Sequence, residues 1–182
     1  MNSYSDKELL EMYRVADTRN YAFNLLVRKY QERLYWHIRK IVVNHDDADD
    51  VIQNTFLKVW GGLDSFREDS QLYTWLYRIA TNEALSFIKK RRSRYLLPIV
   101  DVEQQLSRSL ECDSYFNGNE VQLKLQQAIL KLPEKQRIVF NMKYFEEMKY
   151  EEMSEILGTS VGALKASFHH AVKKIEKFFE AD

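Results

Sequence analysis

The chain has 182 residues, of which 45% are hydrophobic and 30% charged, enough for one ordinary domain or two small helical domains with modest cores. Only five glycines and two prolines interrupt long stretches rich in Lys, Glu, Leu, Gln and Arg, so the composition favours an all-α fold over a β-rich one. The single cysteine, Cys112, excludes an internal disulfide. We expect a cytoplasmic protein without a signal peptide or direct membrane insertion, because no apolar run is long enough.

Charge is balanced in number but segregated along the chain. Lys plus Arg and Asp plus Glu both number 27, giving a formal net charge of zero. A protein that binds DNA alone usually carries a basic excess, because phosphate contacts supply most of the nonspecific affinity. Here an acidic block at residues 46–50, a basic block at 89–94 and a second acidic block at 146–155 are separate. This arrangement predicts two kinds of partner, one acidic and one basic.

Residues 1–97 are predicted to form a first helical domain. Ser5, followed three residues later by Glu8, fits a capping box that begins a short helix. Apolar residues then recur at spacings of three and four across residues 20–43, while charged residues fill the other side. This pattern indicates a long helix that packs one face against a core.

Two more helices are expected in this domain, separated by a loop. A second apolar stripe covers residues 48–60 and ends at Gly61 and Gly62. Residues 63–69 lack periodicity and predict a loop, after which a helix runs from Leu72 into the basic block.

A flexible linker is predicted at residues 98–118. Pro98 marks where the preceding helix cannot continue. The segment lacks sustained periodicity and holds four acidic residues against one basic residue, Arg108. A second domain is therefore predicted at residues 119–182.

The second domain is predicted to be a four-helix domain. Its first helix begins near Asn119, and Pro133 fits the first position of the next helix. The last two helices, at residues 149–157 and 160–179, are separated by a turn at Gly158.

The last two helices have the pattern of a helix-turn-helix. Gly158 permits a left-handed conformation at the end of the first, and Thr159 or Ser160 is able to cap the second. In the second helix the apolar residues form one stripe, and the opposite face and its flanks carry small and polar residues that suit a major groove. These are Ala163, Lys165, Ala166, Ser167, His170 and Lys173. Two helices of an ordinary bundle joined at a glycine would show the same spacing.

One strip of the helix after Leu72 combines side chains suited to single-stranded DNA. Its arc away from the apolar residues carries Trp75, Arg78, Asn82, Ser86 and Lys89. An indole, a guanidinium, an amide and an ammonium on one strip suit unstacked bases and a phosphate backbone. Partial packing in the core is the alternative explanation for Trp75.

The helix at residues 48–60 has a polar face that offers hydrogen-bond acceptors. Away from its apolar stripe lie Asp49, Asp50, Gln53 and Asn54. Such acceptors suit a basic partner. A solvated acidic cluster at a helix N-terminus, where it complements the helix dipole, is the alternative.

Five strings resemble the bacterial extracytoplasmic-function sigma factors across nearly the whole chain. They are DDVIQNTFLKVW at 49–60, DSF at 64–66, TWLYRIATN at 74–82, LP at 132–133 and SVGALK at 160–165. Each string alone would be weak evidence, whereas their order, their spacing and the intervening linker are together specific. The resemblance implies that core RNA polymerase supplies all the catalysis, so that the chain is not an enzyme and needs no cofactor or metal.

The resemblance also implies DNA contacts in the first domain. Residues 1–97 match sigma domain 2, which opens the minus-10 element. The turn formed by Leu63, Asp64, Ser65 and Phe66 matches a pocket for a base flipped from the non-template strand. Asn82 matches a residue that contacts the same strand. The duplex phosphates just upstream would then meet Lys89, Lys90, Arg91 and Arg92.

On the polymerase side, the helix with Asp50 and Gln53 matches the one that docks on the clamp coiled coil of the β′ subunit. The acidic linker is similar to linkers that thread towards the RNA exit channel, and part of the block at 146–155 is expected to face the flap of the β subunit. An anti-sigma factor is a further expected partner, because family members commonly have one. Polymerase and promoter DNA together would explain the zero net charge.

The domain at residues 119–182 matches sigma domain 4, which binds the minus-35 element, but its last helix departs from the family pattern. The family usually has Lys/Arg-Ser-Arg and a following Arg, where this chain has Lys165, Ala166, Ser167 and then His169 and His170. We therefore expect an altered minus-35 preference, with tighter binding near pH 6 than near pH 8 if either imidazole meets a phosphate. The expected minus-35 set also includes Ser160, Ala163 and Lys173.

Three other classes of protein are alternatives to this interpretation. An autonomous repressor or activator would need a dimerisation surface and a basic surplus, and neither is evident. A protein-interaction adaptor could keep a helix-turn-helix that no longer reads DNA. An enzyme would have to recruit His37, His45, Asp46 and Cys112, whose spacing matches no metal or nucleophile motif.

Overall fold

The structure is a computed structural model that describes residues 4–95 and 120–180, with the side chains of 92–95 left out. Over these ranges it contains eight α-helices and no strand, which confirms the all-α class. The predicted linker, with Cys112, lies outside the described residues.

The first domain contains four long or medium helices and one short turn. They are α1 (Asp6–Arg14), α2 (Arg19–Val42), α3 (His45–Gly62), a 3-10 turn (Leu63–Ser65) and α4 (Leu72–Tyr95). The predicted capping box opens α1, since the Ser5 hydroxyl accepts from the Glu8 backbone N–H at 3.3 Å and the Glu8 carboxylate accepts from the Ser5 N–H at 2.7 Å. Asn44 caps α3 by accepting from the Asp47 N–H at 3.1 Å.

The core of this domain lies where α2, α3 and α4 meet. Leu34, Ile38, Val59 and Leu76 are fully buried there. Each sits on the apolar stripe of its helix, so the 3.6-residue period of the sequence accounts for which faces meet.

The second domain consists of α5 (Glu120–Leu130), α6 (Glu134–Tyr144), α7 (Tyr150–Leu157) and α8 (Val161–Glu180). Pro133 is the N-cap of α6 instead of its first helical residue, one position from the prediction. Its ψ of 142° is extended, and its carbonyl accepts the first helical hydrogen bond, from the Arg137 N–H at 2.9 Å. A proline ring fixes φ without forcing a helical ψ, so both positions suit it.

A compact apolar cluster holds the second domain together. It joins α5, α6 and α8 through Ala128, Ile129, Phe140, Ala171 and Ile175. Helix α8 therefore turns its apolar stripe inward and leaves its other face exposed.

The two domains also pack against each other, which the sequence did not predict. Met142, Met148 and Met153 of the second domain join the same hydrophobic cluster as the core of the first. The amide of Asn141 donates to the carbonyl of Lys40 at 3.3 Å across this contact. None of the helices in the described ranges is sufficiently long and apolar to cross a membrane.

Candidate nucleic-acid interface

Two aromatic rings meet at the predicted base pocket. The ring centroids of Phe66 and Trp75 lie 4.9 Å apart with planes tilted by 38°, and both side chains are half-buried. The α3 backbone approaches closely at Gly62, where an added Cβ would lie 3.2 Å from Cζ2 of Trp75. Trp75 thus packs partly in the core and still presents a face beside Phe66, so the two sequence interpretations of this residue are compatible.

The turn that carries Phe66 has an inward and an outward side. Leu63 is buried, at 5% exposure, and anchors the turn to the core. Ser65 is exposed and its hydroxyl donates to the carbonyl of Gly62 at 2.9 Å. Asp64 is exposed and forms an ion pair with Arg19 at the start of α2. Of the four predicted turn residues, Leu63 therefore has a packing role.

The strip on α4 continues from Trp75 towards the second domain. Asn82 and Ser86 are exposed. Arg78 is half-buried, and its Nε donates to the backbone carbonyl of Glu155 on α7 at 3.1 Å. The second domain therefore engages one residue of the predicted single-strand strip in this arrangement.

The basic end of α4 divides into exposed and paired residues. Lys89 and Lys90 are exposed, whereas Arg91 forms an ion pair with Asp47 in the first turn of α3. Burial raises the pKa of the Asp47 carboxyl above its ordinary value, and Arg91 opposes that shift. Arg92 is the fourth residue predicted to meet the duplex phosphates, and the structure does not describe its side chain. One acid of the first acidic block is thus neutralised within the chain.

An apolar groove of about 870 Å³ runs between α2 and α3 beside the predicted polymerase-binding face. Asp49 and Gln53 line it, whereas Asp50 and Asn54 are exposed on the same helix. Its apolar lining comprises Phe23, Val27, Tyr35, Ile52, Phe56, Leu57 and Trp60. Leu57 is 69% exposed and Trp60 37% exposed, so the apolar lining of the groove extends to the surface as one patch. The sequence pattern predicted the polar residues at the edge of this groove but not the apolar residues that line it.

The helix-turn-helix has the predicted backbone. Gly158 adopts a left-handed φ of 61° after α7, and the Ser160 hydroxyl accepts from the Ala163 N–H at 3.3 Å to cap α8. Leu164 and Ala171 are buried on the inner stripe. The exposed face of α8 carries Ala163, Lys165, Ala166, His169, His170 and Lys173, with Ser167 half-buried beside it. All the predicted minus-35 residues thus lie on or beside one accessible face.

The second acidic block does not face outward as a unit. Glu147, Glu151 and Glu155 are exposed, but Oε1 of Glu146 lies 2.9 Å from Nδ1 of His37 and 3.9 Å from Nζ of Lys40. These contacts place Glu146 against the first domain, so the prediction that part of the block faces the β flap applies to its exposed members. The sequence offered no signal for this pair because 109 positions separate its members.

The candidates for an enzyme site are dispersed. His37 lies in the interdomain contact, while His45 pairs with Tyr35 at 2.6 Å and with Asp49 at 3.6 Å. Within residues 4–95 and 120–180, no group of three or more His, Cys, Asp or Glu side chains is arranged to hold a metal ion.

Comparison with known proteins matches both domains to one class. The family model for sigma-70 region 2 matches residues 26–94, and that for sigma-70 region 4 matches residues 122–175. These regions, in this order, define a sigma factor of RNA polymerase, a class that directs promoter-specific transcription initiation.

Curated relatives narrow the class. The sigma-H factor of Pseudomonas aeruginosa is 32% identical, covering 94% of this chain and 92% of the relative. The extracytoplasmic-function sigma factor SigW of Bacillus subtilis is 32% identical over 86% of this chain and 88% of its own. The sigma-E factor of Escherichia coli is 30% identical, with 94% and 93% covered. The chain belongs to the extracytoplasmic-function RNA polymerase sigma factors, as its motifs indicated.

Solved structures agree with the fold. CnrH in complex with the cytosolic domain of CnrY has a TM-score of 0.69 and 25% identity, over 97% of this chain and 99% of that one. The sigma factor RpoE of Bartonella quintana, solved with the anti-sigma factor NepR, has a TM-score of 0.67 at 21% identity and supports the fold alone.

Proposed function

We propose that the two domains divide promoter recognition between them, with residues 1–97 binding core polymerase and opening the minus-10 element and residues 119–182 reading the minus-35 element. The observation that carries the proposal is the Phe66 and Trp75 pair, with Asn82 exposed on the same helix. Aromatic faces beside hydrogen-bonding groups suit a flipped base, since stacking is worth about 1–3 kcal/mol per base. Asp64 and Ser65 form the outer edge of the pocket, and Lys89, Lys90, Arg91 and Arg92 would follow the upstream phosphates.

Arg78 belongs to the same single-strand site in this proposal. One donor of its guanidinium, the Nε–H, is engaged by α7 here, and that donor is released for a nucleic-acid strand when α7 moves away. A cation at this position suits a phosphate or a base face.

Core polymerase docks, in this proposal, on the groove between α2 and α3. Asp49, Asp50, Gln53 and Asn54 supply acceptors, and the apolar floor with exposed Leu57 supplies desolvated area. A polar rim around an apolar centre is the usual composition of a protein interface. The partner that fits this surface is a helix with basic and apolar residues, as on the β′ clamp.

The minus-35 element is assigned to the exposed face of α8. Lys165, His169, His170 and Lys173 would meet phosphates or base edges, and the small residues Ala163 and Ala166 would allow close approach. Ser160 keeps the helix N-terminus in register by capping it.

Regulation by an anti-sigma factor is part of the proposal. It is supported by the likeness to CnrH, which was solved with the cytosolic domain of CnrY. A factor that works on core polymerase and promoter DNA would act in the cytoplasm and would itself be non-catalytic.

Transcription from a randomised promoter library tests the proposed function directly. Core polymerase is incubated with and without the chain, and the transcripts are sequenced. We expect transcripts that depend on the chain and share two conserved elements. Transcripts made equally well without the chain, or duplex binding that is equally tight without core polymerase, would refute the proposal.

The polymerase face has a sharper test in Asp50→Lys. This variant should lose core binding while keeping its helical content, because Asp50 is exposed and lies beside the groove. Asp46→Lys is the matched control, since Asp46 is an exposed acid in the first turn of the same helix and should keep its affinity. If Asp50→Lys and Asp46→Lys bind core polymerase with equal affinity, the polymerase-binding surface lies elsewhere on the chain.

A further inference from the structure

The predicted base-capture turn is held from outside by a residue that no motif singled out. Arg19, the first residue of α2, forms an ion pair with Asp64, the middle residue of the 3-10 turn. These residues are 45 positions apart in the chain. The side chain of Asp64 is 64% exposed and that of Arg19 is 36% exposed, so the pair lies at the surface beside Phe66.

Two aromatic rings orient the guanidinium of Arg19. Its Cζ atom lies 4.6 Å from the ring centroid of Tyr13 and 5.9 Å from that of Trp60. Those rings meet edge to face at 5.7 Å, and the Tyr13 hydroxyl donates to the carbonyl of Trp60 at 3.3 Å. Stacking of this kind limits the conformations of an arginine side chain and lowers the entropy lost when it pairs.

The charge of Asp64 is poorly placed for a protein that binds DNA. An exposed carboxylate next to Phe66 would repel the phosphates of a strand whose base enters the pocket. The oriented guanidinium neutralises that carboxylate and directs it towards α2. It also ties the outer side of the turn to the start of α2, while Leu63 anchors the inner side in the core.

We propose that Arg19 is a positioning residue for minus-10 opening, acting through Asp64 to hold the 3-10 turn in its base-accepting form and to remove a repulsive charge from the path of the strand. The proposal rests on the assignment of the Phe66 turn as the base pocket. Arg19 does not itself line the groove assigned to core polymerase, but its guanidinium approaches Trp60, which does, so affinity for core polymerase is measured for every variant.

The same corner supplies a matched control. Arg14, at the end of α1, forms an ion pair with Glu68, which lies beyond the turn and has a φ of 60°. Its side chain is 62% exposed, so Arg14→Gln removes a comparable surface charge without touching the turn.

The test uses core polymerase reconstituted with the full chain. The probe is a forked promoter DNA, chosen from the library experiment, that carries 2-aminopurine at the non-template position expected to flip. We measure its dissociation constant and its fluorescence for the wild type, Arg19→Gln, Arg14→Gln, Phe66→Ala and the double variant Arg19→Gln with Asp64→Asn. Affinity for core polymerase and thermal midpoints are recorded for each chain.

We expect Arg19→Gln to weaken forked-DNA binding about two- to fivefold, which is the range for an exposed ion pair, and to lower the 2-aminopurine signal. Core binding should be unchanged. Adding Asp64→Asn should restore binding towards the wild type, because the unpaired carboxylate is then gone. A loss of binding that came only from lost stability would appear as a matching fall in the thermal midpoint of Arg19→Gln.

Three outcomes would overturn the proposal. Arg19→Gln could bind like the wild type, Asp64→Asn could fail to restore binding, or Arg14→Gln could cost as much as Arg19→Gln. Phe66→Ala separates these from a failure of the proposed function. If Phe66→Ala binds the forked DNA normally, the base pocket is misassigned, and the proposed role of Arg19 is wrong as well. If Phe66→Ala weakens binding and Arg19→Gln does not, the base pocket stands and only the role of Arg19 is wrong.

Discussion

Nδ1 of His37, on α2, lies 2.9 Å from Oε1 of Glu146, which follows α6 in the other domain. The His37 side chain is 1% exposed, and its Nε2 lies 2.8 Å from the Thr81 hydroxyl. Nζ of Lys40 lies 3.9 Å from the same carboxylate, and burial lowers the pKa of Lys40. A largely buried polar contact of this kind joins the two domains.

Replacing Glu146 with Gln should therefore loosen the contact between the domains. Loss of the charged acceptor should cost about 2 kcal/mol in the free energy of unfolding, the usual worth of a hydrogen bond to a charged group. Urea unfolding measures this cost, and small-angle scattering should give a larger radius of gyration. Glu147→Gln, at an exposed neighbouring position, is the control and should change neither. Identical scattering from both variants would contradict the prediction.

Gly62→Ala should disturb Trp75, whereas Gly61→Ala should not. A Cβ at Gly62 would lie 3.2 Å from Cζ2 of Trp75, but a Cβ at Gly61 meets nothing within 4 Å. Gly61→Ala should gain up to about 1 kcal/mol of stability from helix propensity. Gly62→Ala should gain less stability than Gly61→Ala, because the added Cβ crowds Trp75. It should also slow minus-10 opening, which is measured by the permanganate reactivity of unpaired thymines. Equal opening rates in the two variants would show that the position of Trp75 does not matter.

Arg91→Gln should make stability more dependent on pH through Asp47. Burial places the pKa of folded Asp47 above its ordinary value, and Arg91 opposes that shift. The Asp47 carboxyl therefore holds its proton more tightly in the folded protein than in the unfolded chain. Ionisation of Asp47 thus lowers the free energy of unfolding, and this loss disappears as pH falls through the pKa of the folded state. Without Arg91 the ionised Asp47 carboxylate destabilises the fold more. The difference in free energy of unfolding between wild type and Arg91→Gln should therefore be largest towards pH 7 and smallest near about pH 4.

Urea unfolding at several pH values measures the difference. The same substitution in an Asp47→Asn background is the control, because it removes the titrating group. A wild-type-to-variant difference that stays constant across the pH range would exclude Asp47 as its cause.

Lys173→Ala should weaken minus-35 binding uniformly across promoter sequences. Lys173 is exposed on α8, opposite the buried stripe. Removing one phosphate contact should reduce the log-log salt slope of holoenzyme binding by about 0.9. Lys7→Ala, which removes an exposed charge from α1, is the control and should leave the slope unchanged. A change in sequence preference without a change in slope would indicate a base contact instead.

Local sequence rules accounted for the helices and their ends. The Ser5 and Glu8 capping box and the left-handed Gly158 both form as predicted, because each depends on residues within one turn of helix. The exposed face of α8 also followed directly from its period.

The candidate site was predicted residue by residue but not as a surface. Helical periodicity placed Trp75 on the strip, and resemblance pointed to Phe66, yet neither could show that their rings pack 4.9 Å apart. Leu63 was included as a pocket residue but is buried, since its direction depends on how the turn meets the core. The apolar floor of the α2 and α3 groove was likewise hidden within an ordinary core pattern.

By itself the sequence determined the helices, the two-domain order and the family, because periodicity, caps and motif spacing are local properties of the chain. Only the tertiary structure decided which charges are available to partners. Arg91 pairs with Asp47, Arg19 with Asp64 and Glu146 with His37 across separations of 44, 45 and 109 positions. Such contacts depend on how helices pack in three dimensions, and nothing in the local pattern of either partner specifies them.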